Sequence, residues 1–249
     1  MLGVGNNTSN LATYGECGRF PLLLRQKVRV IKYWYRIINM DEGSIVKMIY
    51  NCLLSLHNCG FKTWSSHVEK LLNETGFSFN WYRQTCDQSV INGFTNCIYE
   101  SYLNFWTSET SNIENCPKLR LYCTFKKDVY IEPYLLSLLD VKLRKVISQL
   151  RLGSHNLEIE KGRHQKPKTP IHERLCKICK SDDNIEDEVH FLMSCPAYDD
   201  LRQKFFKIRS DLGLSNVNFY DIITCDKTYF NLAKLLQKCL KGGRVLLIE

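Results

Sequence analysis

The sequence predicts a mainly helical protein, arranged as a helical bundle. Apolar residues recur at helical spacing through most of the chain, and no sustained alternation of apolar and polar residues demands a large sheet. The chain has 249 residues, of which 44% are hydrophobic and 12% aromatic, so it can bury a substantial core. One short segment near the C-terminal end adds a pattern of cysteine and histidine residues to this helical background.

The first part of the chain contains the segments that predict the earliest helices. One helix covers LLLRQKVRVIKYWYRIINM and ends at the polar stretch from Asp41 to Ser44. The next covers SIVKMIYNCLLSL and ends near Gly60. A further helix begins near Thr63 or Ser65 and ends by Gly76.

Apolar stripes predict more helices along the rest of the chain, because their members are three or four residues apart. The stripes consist of Val90, Phe94, Cys97, Ile98, Tyr102 and Phe105; of Leu139, Leu143, Val146, Ile147 and Leu150; and of Leu232, Leu235, Leu236, Cys239 and Leu240. In the second stripe, we expect Arg144, Lys145 and Arg151 to lie off the apolar face. The many aromatic residues of the first half are expected to pack in the core, although base stacking is the alternative.

The cysteine and histidine pattern indicates a metal site. Cys176, Cys179, His190 and Cys195 form a Cys-x2-Cys pair, a ten-residue spacer and a His-x4-Cys pair, which is typical of a closed tetrahedral zinc site. We expect the first pair on a tight turn, and Pro196 should turn Cys195 back from the end of a helix that carries His190. Because four protein ligands leave no open position, the zinc of this small embedded CCHC segment would be structural. A redox pair and unligated thiols are the alternatives.

Other polar residues near this motif have simpler expected roles. The acidic turn between the ligand pairs should cap and charge the start of the helix that carries the histidine ligand. Its members are Asp182, Asp183, Glu186, Asp187 and Glu188. His155, His164 and His172 have no paired cysteines, so we expect them to be surface or hydrogen-bonding histidines rather than ligands.

The net charge of +8 is concentrated in one segment, because ten basic and three acidic residues lie between Arg144 and Lys180. Lysine and arginine neutralise phosphates and release counterions, so a positive segment beside a metal site is typical of a polyanion-binding surface. The candidate nucleic-acid contacts are Arg144, Lys145, Arg151, Lys161, Arg163, Lys166, Lys168 and Arg174. A solvated linker is the alternative, which the prolines of KPKTP favour.

The first long helix predicts a second basic surface. Arg25, Lys27, Arg29, Lys32 and Arg36 have no acidic partner within that helix. These side chains could contact phosphates, or they could simply be solvated.

The sequence contains no pattern that indicates catalysis or membrane insertion. The chain has no Gly-rich phosphate loop, no serine nucleophile elbow and no HExxH pair, and its adjacent acids lie in polar settings, so we expect no enzyme activity. No apolar run approaches the roughly 20 residues of a membrane span, and the opening stretch lacks an apolar signal. We therefore expect an intracellular protein with reduced cysteines, in the nucleus or in a cytoplasmic ribonucleoprotein.

Two stretches resemble a known family. The stretch LRLGSHNLEIEKGRHQKPKTPIHERLCKICKSDDNIEDEVHFLMSCPAYDDLRQKFF resembles the zinc-finger-bearing C-terminal region of reverse transcriptases from non-LTR retrotransposons of animals. The opening LGVGNNTSNLATYGECGRFPLLLRQKVRVIKYWYRI resembles the helical segment that follows the polymerase core in those proteins. The resemblance implies zinc on the four ligands named above and a nucleic-acid-handling role for the run from Arg151 through Arg163 to Arg174.

The resemblance also implies an organisation and a function. It divides the chain into a helical region at 1–149 like the thumb or post-polymerase segment, a basic segment with the zinc finger at 150–206, and a helical extension at 207–249. It implies binding of RNA or DNA, as element transcript or target site, without polymerase activity, because the catalytic aspartates of the family would lie upstream of Met1. A separate polymerase subunit and a host-recruited protein-interaction adaptor with a structural zinc are the alternatives, and the oligomeric state stays open.

Overall fold

The computed structural model describes residues 2–112, 114, 117–138, 140–215 and 217–245. Most of these residues are helical, which confirms the predicted mainly helical fold. Within the described ranges no β-strand forms, and extended pairing is limited to isolated bridges between Cys17 and Ile131 and between Leu175 and Ile185. Leu139, a member of one predicted stripe, lies outside the described residues.

The α-helices follow one another with short connections. They are Asn10–Glu16 (α1), Leu22–Ile38 (α2), Ile45–Asn58 (α3), Trp64–Glu74 (α4), Ser78–Arg83 (α5), Gln88–Ser111 (α6), Tyr122–Phe125 (α7), Pro133–Ser137 (α8), Val141–Arg151 (α9), Glu158–His164 (α10), Asp199–Asp211 (α11), Phe219–Thr224 (α12) and Tyr229–Val245 (α13). Helices α2, α3, α4, α6, α9 and α13 lie where the sequence predicts helices. None of the helices in the described ranges is both long and apolar enough to cross a membrane.

The chain forms two compact units. One unit is the continuous stretch Phe20–Trp106, and the other combines Met1–Arg19 with Thr107–Glu249. These boundaries differ from the predicted regions 1–149, 150–206 and 207–249. The first predicted region contains all of one unit and part of the other, because helical periodicity does not reveal which helices pack together.

In the unit Phe20–Trp106, one face of α2 forms the centre of the core. Val28, Ile31, Trp34 and Ile37 recur every three or four residues and are buried. The indole Nε1 of Trp34 donates a hydrogen bond to Oη of Tyr50 in α3 at 3.0 Å, so its buried N–H group is satisfied. Trp34 thus packs in the core, as the sequence predicts for the aromatics of the first half, whereas Tyr33, Phe79, Tyr82 and Phe105 are 47%, 60%, 74% and 52% exposed.

The opposite face of α2 carries basic side chains. Arg25, Arg29, Lys32 and Arg36 are exposed, and they form one stripe because they are three or four residues apart. No acidic side chain in the described part of the chain pairs with them. The stripe is therefore available to solvent and to anions.

The corner between α3 and α4 is held by a small polar cluster. The Ser66 hydroxyl accepts a hydrogen bond from the Thr63 backbone N–H at 3.0 Å and lies 2.9 Å from Nδ1 of His57. On the other side of the ring, Nε2 of His57 is 3.3 Å from the Glu69 carboxylate. A serine, a histidine and an acid thus meet here as part of a helix N-cap, which accounts for their arrangement structurally.

The second unit contains a buried ionic cluster. Arg151 is 3% exposed and Glu16 is fully buried. Nε of Arg151 donates to Oε1 of Glu16 at 2.5 Å, and its Nη2 lies 2.6 Å from Oε2 of Glu132. Nζ of Lys126 is 2.5 Å from the other oxygen of Glu132, while Nη1 of Arg151 donates to the Ile223 carbonyl at 2.9 Å. The cluster connects four parts of this unit, which are helix α1, the segment that precedes α8, helix α9 and helix α12. It contains two basic and two acidic side chains.

Candidate metal centre and its basic surroundings

The first cysteine pair lies on a turn that closes a short hairpin. Leu175 and Ile185 form an antiparallel bridge, and the backbone N–H of Cys176 donates to the Asn184 carbonyl at 2.9 Å. Lys180, the residue after the pair, has a φ of 54° and donates its N–H to the Cys176 carbonyl at 3.1 Å. This left-handed residue closes the turn, which confirms the tight geometry that the Cys-x2-Cys spacing predicts.

The second ligand pair lies at the two ends of a single helical turn. Oδ1 of Asp187 accepts a hydrogen bond from the His190 N–H at 2.7 Å and caps the turn. The turn His190–Ser194 is a π-helix, closed by the Cys195 N–H donating to the His190 carbonyl at 2.8 Å. Cys195 is extended because Pro196 follows it, so its side chain turns back toward the histidine as predicted.

These two turns bring the four predicted ligands together. The ligand atoms of Cys176, Cys179, His190 and Cys195 all lie within 4.8 Å of one another. Sγ of Cys176 and Sγ of Cys195 are 4.0 Å apart, and Sγ of Cys179 is 3.5 Å from Nε2 of His190. The cluster could hold a metal ion, because one central ion could contact all four atoms after small shifts.

The protonation of the cluster fits this role. Burial raises the pKa of the Cys176 thiol to about 12 and also raises the pKa of Cys195. Burial lowers the pKa of His190, which favours the neutral imidazole that can bind a metal. With pKa values raised in this way, the buried Cys176 and Cys195 thiols keep their protons at neutral pH unless a stronger positive charge lies beside the sulfur atoms. A bound metal ion would supply that charge and convert them to thiolates.

Neighbouring side chains hold the ligands in place. The Ser194 hydroxyl lies 3.3 Å from Nδ1 of His190, which leaves Nε2 as the atom that faces the cysteines. Nη2 of Arg202 donates to the Cys195 carbonyl at 3.0 Å and to Oδ1 of Asp199 at 2.9 Å. Orientation of the ligands therefore does not depend on the metal alone.

The acidic turn has several roles rather than one. Asp187 caps the helical turn, as predicted. Glu186 instead accepts the Glu158 N–H at 2.9 Å, and Oε1 of Glu188 lies 2.9 Å from Nε2 of His155. The predicted hydrogen-bonding role of His155 is thereby confirmed. His164 and His172 are exposed and lie outside the ligand cluster, also as predicted.

The structure corrects two predicted nucleic-acid contacts, Arg151 and Arg174. Arg151 belongs to the buried ionic cluster, because it lies four residues after Ile147 and thus on the buried face of α9 rather than off it. Arg174 is 8% exposed, and its guanidinium donates to the carbonyls of Ile159 at 2.8 Å and Thr169 at 2.8 and 2.9 Å. Both guanidinium groups stabilise the fold through these contacts and are not available to bind phosphate.

The other predicted contacts differ in how open they are to solvent. Nη2 of Arg163 is 2.9 Å from Glu160, and 17% of its side chain is exposed. Arg144 is half-buried, with Nη1 3.5 Å from the Leu135 carbonyl. The exposed members of the predicted set are Lys145, Lys161, Lys166 and Lys168.

Two further lysines, missed in the sequence-based set of contacts, lie beside the candidate metal centre. Lys142 and Lys177 line a cavity of about 600 Å³ together with Lys145 and Lys161. Lys142 precedes Lys145 by three residues on α9, so helical spacing alone could have added it to the set. Lys177 lies between two candidate ligands, and no pattern in the sequence indicates that it faces a cavity.

Comparison of the chain with protein-family models, with curated proteins and with solved structures finds no match.

Proposed function

We propose that this protein is a zinc-stabilised RNA- or DNA-binding protein, similar to the C-terminal region of a non-LTR retrotransposon reverse transcriptase and without a polymerase active site. The observation that carries the proposal is the convergence of three cysteines and one histidine beside exposed lysines. The resemblance of residues 150–206 to that region of the family supports the same assignment. Such a protein would act in the nucleus or in a cytoplasmic ribonucleoprotein.

Zinc is the metal that this donor set favours, because thiolate and imidazole ligands suit its tetrahedral preference. With bonds of about 2.3 Å to sulfur and 2.0 Å to nitrogen, tetrahedral zinc separates two sulfurs by roughly 3.8 Å and sulfur from nitrogen by roughly 3.5 Å. The observed separations are 4.0 Å between Cys176 and Cys195 and 3.5 Å between Cys179 and His190. Four protein ligands complete the coordination, so the ion would order the segment rather than catalyse a reaction.

The exposed lysines support contact with phosphates. Lys145, Lys161, Lys166 and Lys168 lie within one segment that leads into the metal centre, and all four are exposed. Phosphate contacts fix position on a nucleic acid but carry no sequence information. The protein would therefore bind RNA or DNA with little base preference, and with an affinity that falls steeply as salt rises.

Zinc analysis combined with a binding titration tests this function. We expect about one zinc per chain and an affinity for labelled single-stranded RNA that falls at least tenfold between about 50 and 200 mM salt. Replacing Lys166 and Lys168 by glutamate should weaken RNA binding without lowering the zinc content, because both lysines are exposed and distant from the ligands in sequence. The same charge change at Lys204 and Lys207 of α11 is the control. Absence of zinc, or an affinity insensitive to salt, contradicts the proposal.

A protein-interaction adaptor with a structural zinc is the second candidate, and the surface of α3 favours it. Ile45, Met48, Ile49 and Leu56 lie on one face of α3 and are 70%, 48%, 55% and 46% exposed. Contiguous exposed apolar surfaces often mark contacts between proteins. An adaptor would ignore RNA and lose its partner on Ile49→Glu, whereas a nucleic-acid-binding protein would keep its RNA affinity in that variant.

A further inference from the structure

The cavity of about 600 Å³ beside the metal centre is built from several helices and one metal-binding turn. Lys142 and Lys145 line it from α9, and Lys161 lines it from α10. Lys177 and Ile178, which are the residues between the ligands of the first cysteine pair, form another part of its lining. The metal-binding turn and the cavity therefore share a structural element.

The cavity has a positive lining, because its four lysines outnumber its two acidic residues, Glu158 and Glu186. Lys142 and Lys145 are exposed, and no acidic side chain in the described residues pairs with either of them. Nζ of Lys161 and Nζ of Lys177 lie 2.9 and 3.0 Å from the two carboxylate oxygens of Glu158. These two lysine side chains remain 47% and 60% exposed, so each can also contact an anion from solvent.

The Glu158 carboxylate forms ion pairs with two of these lysines, Lys161 and Lys177. Burial opposes ionisation of its carboxyl group, but hydrogen bonds and charges from Lys161 and Lys177 lower its pKa below the ordinary value. The carboxylate is therefore charged at neutral pH and fixes both ammonium groups at the cavity. The same carboxylate also cancels part of the positive charge that an incoming phosphate would meet.

The aromatic residues of the cavity have little surface for base stacking. Phe191 and Tyr198 are 3% and 7% exposed, and they pack edge to face with ring centroids 5.3 Å apart. Gln149, Asn156 and Gln237 add polar amide groups to the lining. Affinity would thus come from charge and hydrogen bonds rather than from stacking.

We propose that this cavity binds consecutive phosphates of a single nucleic-acid strand through Lys142, Lys145, Lys161 and Lys177. The proposal rests on the proposed function and names the site and the form of nucleic acid that it takes. The cavity lies within the roughly 300–1,000 Å³ of ordinary ligand sites, which suits about one or two nucleotides of a strand. A duplex is too bulky to enter a cavity of this volume, because it holds two backbones around a stack of paired bases.

The test uses the metal-loaded full chain and a fluorescein-labelled strand of about 12 uridines, with fluorescence anisotropy measured across a range of salt concentrations. We expect Lys142→Gln with Lys145→Gln to weaken binding about tenfold and to reduce the slope of log K against log salt by about 1.4, which is two phosphate contacts on a single strand. The matched control is Lys204→Gln with Lys207→Gln, also exposed, three residues apart on one helix and outside the cavity lining. The control pair should leave the slope unchanged.

A second variant, Glu158→Gln, is expected to strengthen binding of the strand, whereas the lysine variants weaken it. Glu158→Gln removes the carboxylate that lies between Lys161 and Lys177 and repels phosphate, while it keeps the size of the side chain and leaves Glu186, the other acid of the lining, unchanged. We expect this variant to bind the strand about threefold more tightly at low salt. Metal content and thermal stability, measured for every variant, show that the fold is retained.

The outcomes separate this site from the proposed function. If the parent chain binds the strand but the Lys142 and Lys145 variant matches the Lys204 and Lys207 control, the cavity is not the site, and the contacts lie at Lys166 and Lys168 or on the basic stripe of α2. If the parent binds a uridine–adenine duplex as tightly as the single strand, the single-strand assignment is wrong. If the parent shows no salt-dependent binding at all, the proposed function fails together with this site.

Discussion

Replacing Cys176 by serine is expected to release the metal ion and to unfold the hairpin from Arg174 to Glu186. Serine is a poor ligand for a soft metal site, and the three remaining ligands cannot close the tetrahedron. Structural zinc contributes about 10–16 kcal/mol of apparent binding free energy in finger peptides, so its loss exceeds what the small surrounding core can replace. Metal analysis should fall from about one ion per chain to nearly none. Hydrogen exchange at the Cys176 and Glu186 amides, protected in the hairpin, should become fast.

An exposed thiol elsewhere in the chain supplies the control. Cys52 lies on α3 in the unit Phe20–Trp106 and takes no part in the ligand cluster, so Cys52→Ser should keep both the metal and the slow amide exchange. A Cys176→Ser protein that retains a full equivalent of metal would show that the four ligand atoms do not share one ion. The same measurement with Cys195→Ser checks the second ligand pair independently.

Arg151→Met is expected to lower the free energy of unfolding by about 3–5 kcal/mol, because removal of one partner leaves buried charges uncompensated. Glu16 is fully buried and would lose both of its hydrogen bonds from Arg151, while Glu132 would keep Lys126 alone. The Arg151 guanidinium also lies 4.4 Å from the centre of the Phe125 ring, so a packing contact disappears as well. Urea denaturation measured on the tertiary fluorescence signal gives the difference directly.

The same variant should depend on pH in a defined direction. Burial raises the pKa of Glu16 above the 4.5 of an exposed glutamate, although Arg151 opposes the shift, and removing Arg151 raises it further. A raised folded-state pKa means that the folded chain holds a proton that the unfolded chain releases, so stability is lost as pH rises above about 4.5. The destabilisation by Arg151→Met should therefore be larger at neutral pH than near pH 4.5. Adding Glu16→Gln should recover part of it, and equal losses in the single and double variants would contradict the pairing.

Local patterns predicted the helices and the cluster of candidate ligands, because both depend on short-range spacing. The stripe of α6 follows from side chains three and four residues apart, and Cys176 and Cys179 follow from the reach of one turn. The π-helical form of the turn at His190 was not predicted, because residue spacing alone does not distinguish a turn closed by the Cys195 N–H from an ordinary helical turn. A ligand pair can thus be identified in sequence before the backbone that presents it is known.

The basic segment was predicted less well, because a count of charged residues does not show which of their side chains are buried and which are exposed. Arg151 and Arg174 contributed to the positive total, yet one pairs with distant Glu16 and the other with backbone carbonyls. Arg151 did carry a local signal, since it stands four residues after Ile147 on the apolar stripe. Arg174 carried no such local signal, because its carbonyl partners come close only after the hairpin and α10 have packed together. The exposed lysines that remain define a smaller and more specific surface.

The contact between Glu16 and Arg151 also has a consequence for how the chain is made. The two residues are 135 positions apart, and the whole of the unit Phe20–Trp106 is synthesised between them. A ribosome therefore releases α1 long before its partner exists, and the Glu16 carboxylate stays in water during that time. The intervening unit can fold first, because it is compact and has a buried core of its own. Docking of the N-terminal segment would then be a late step of folding, limited by closure of a long loop.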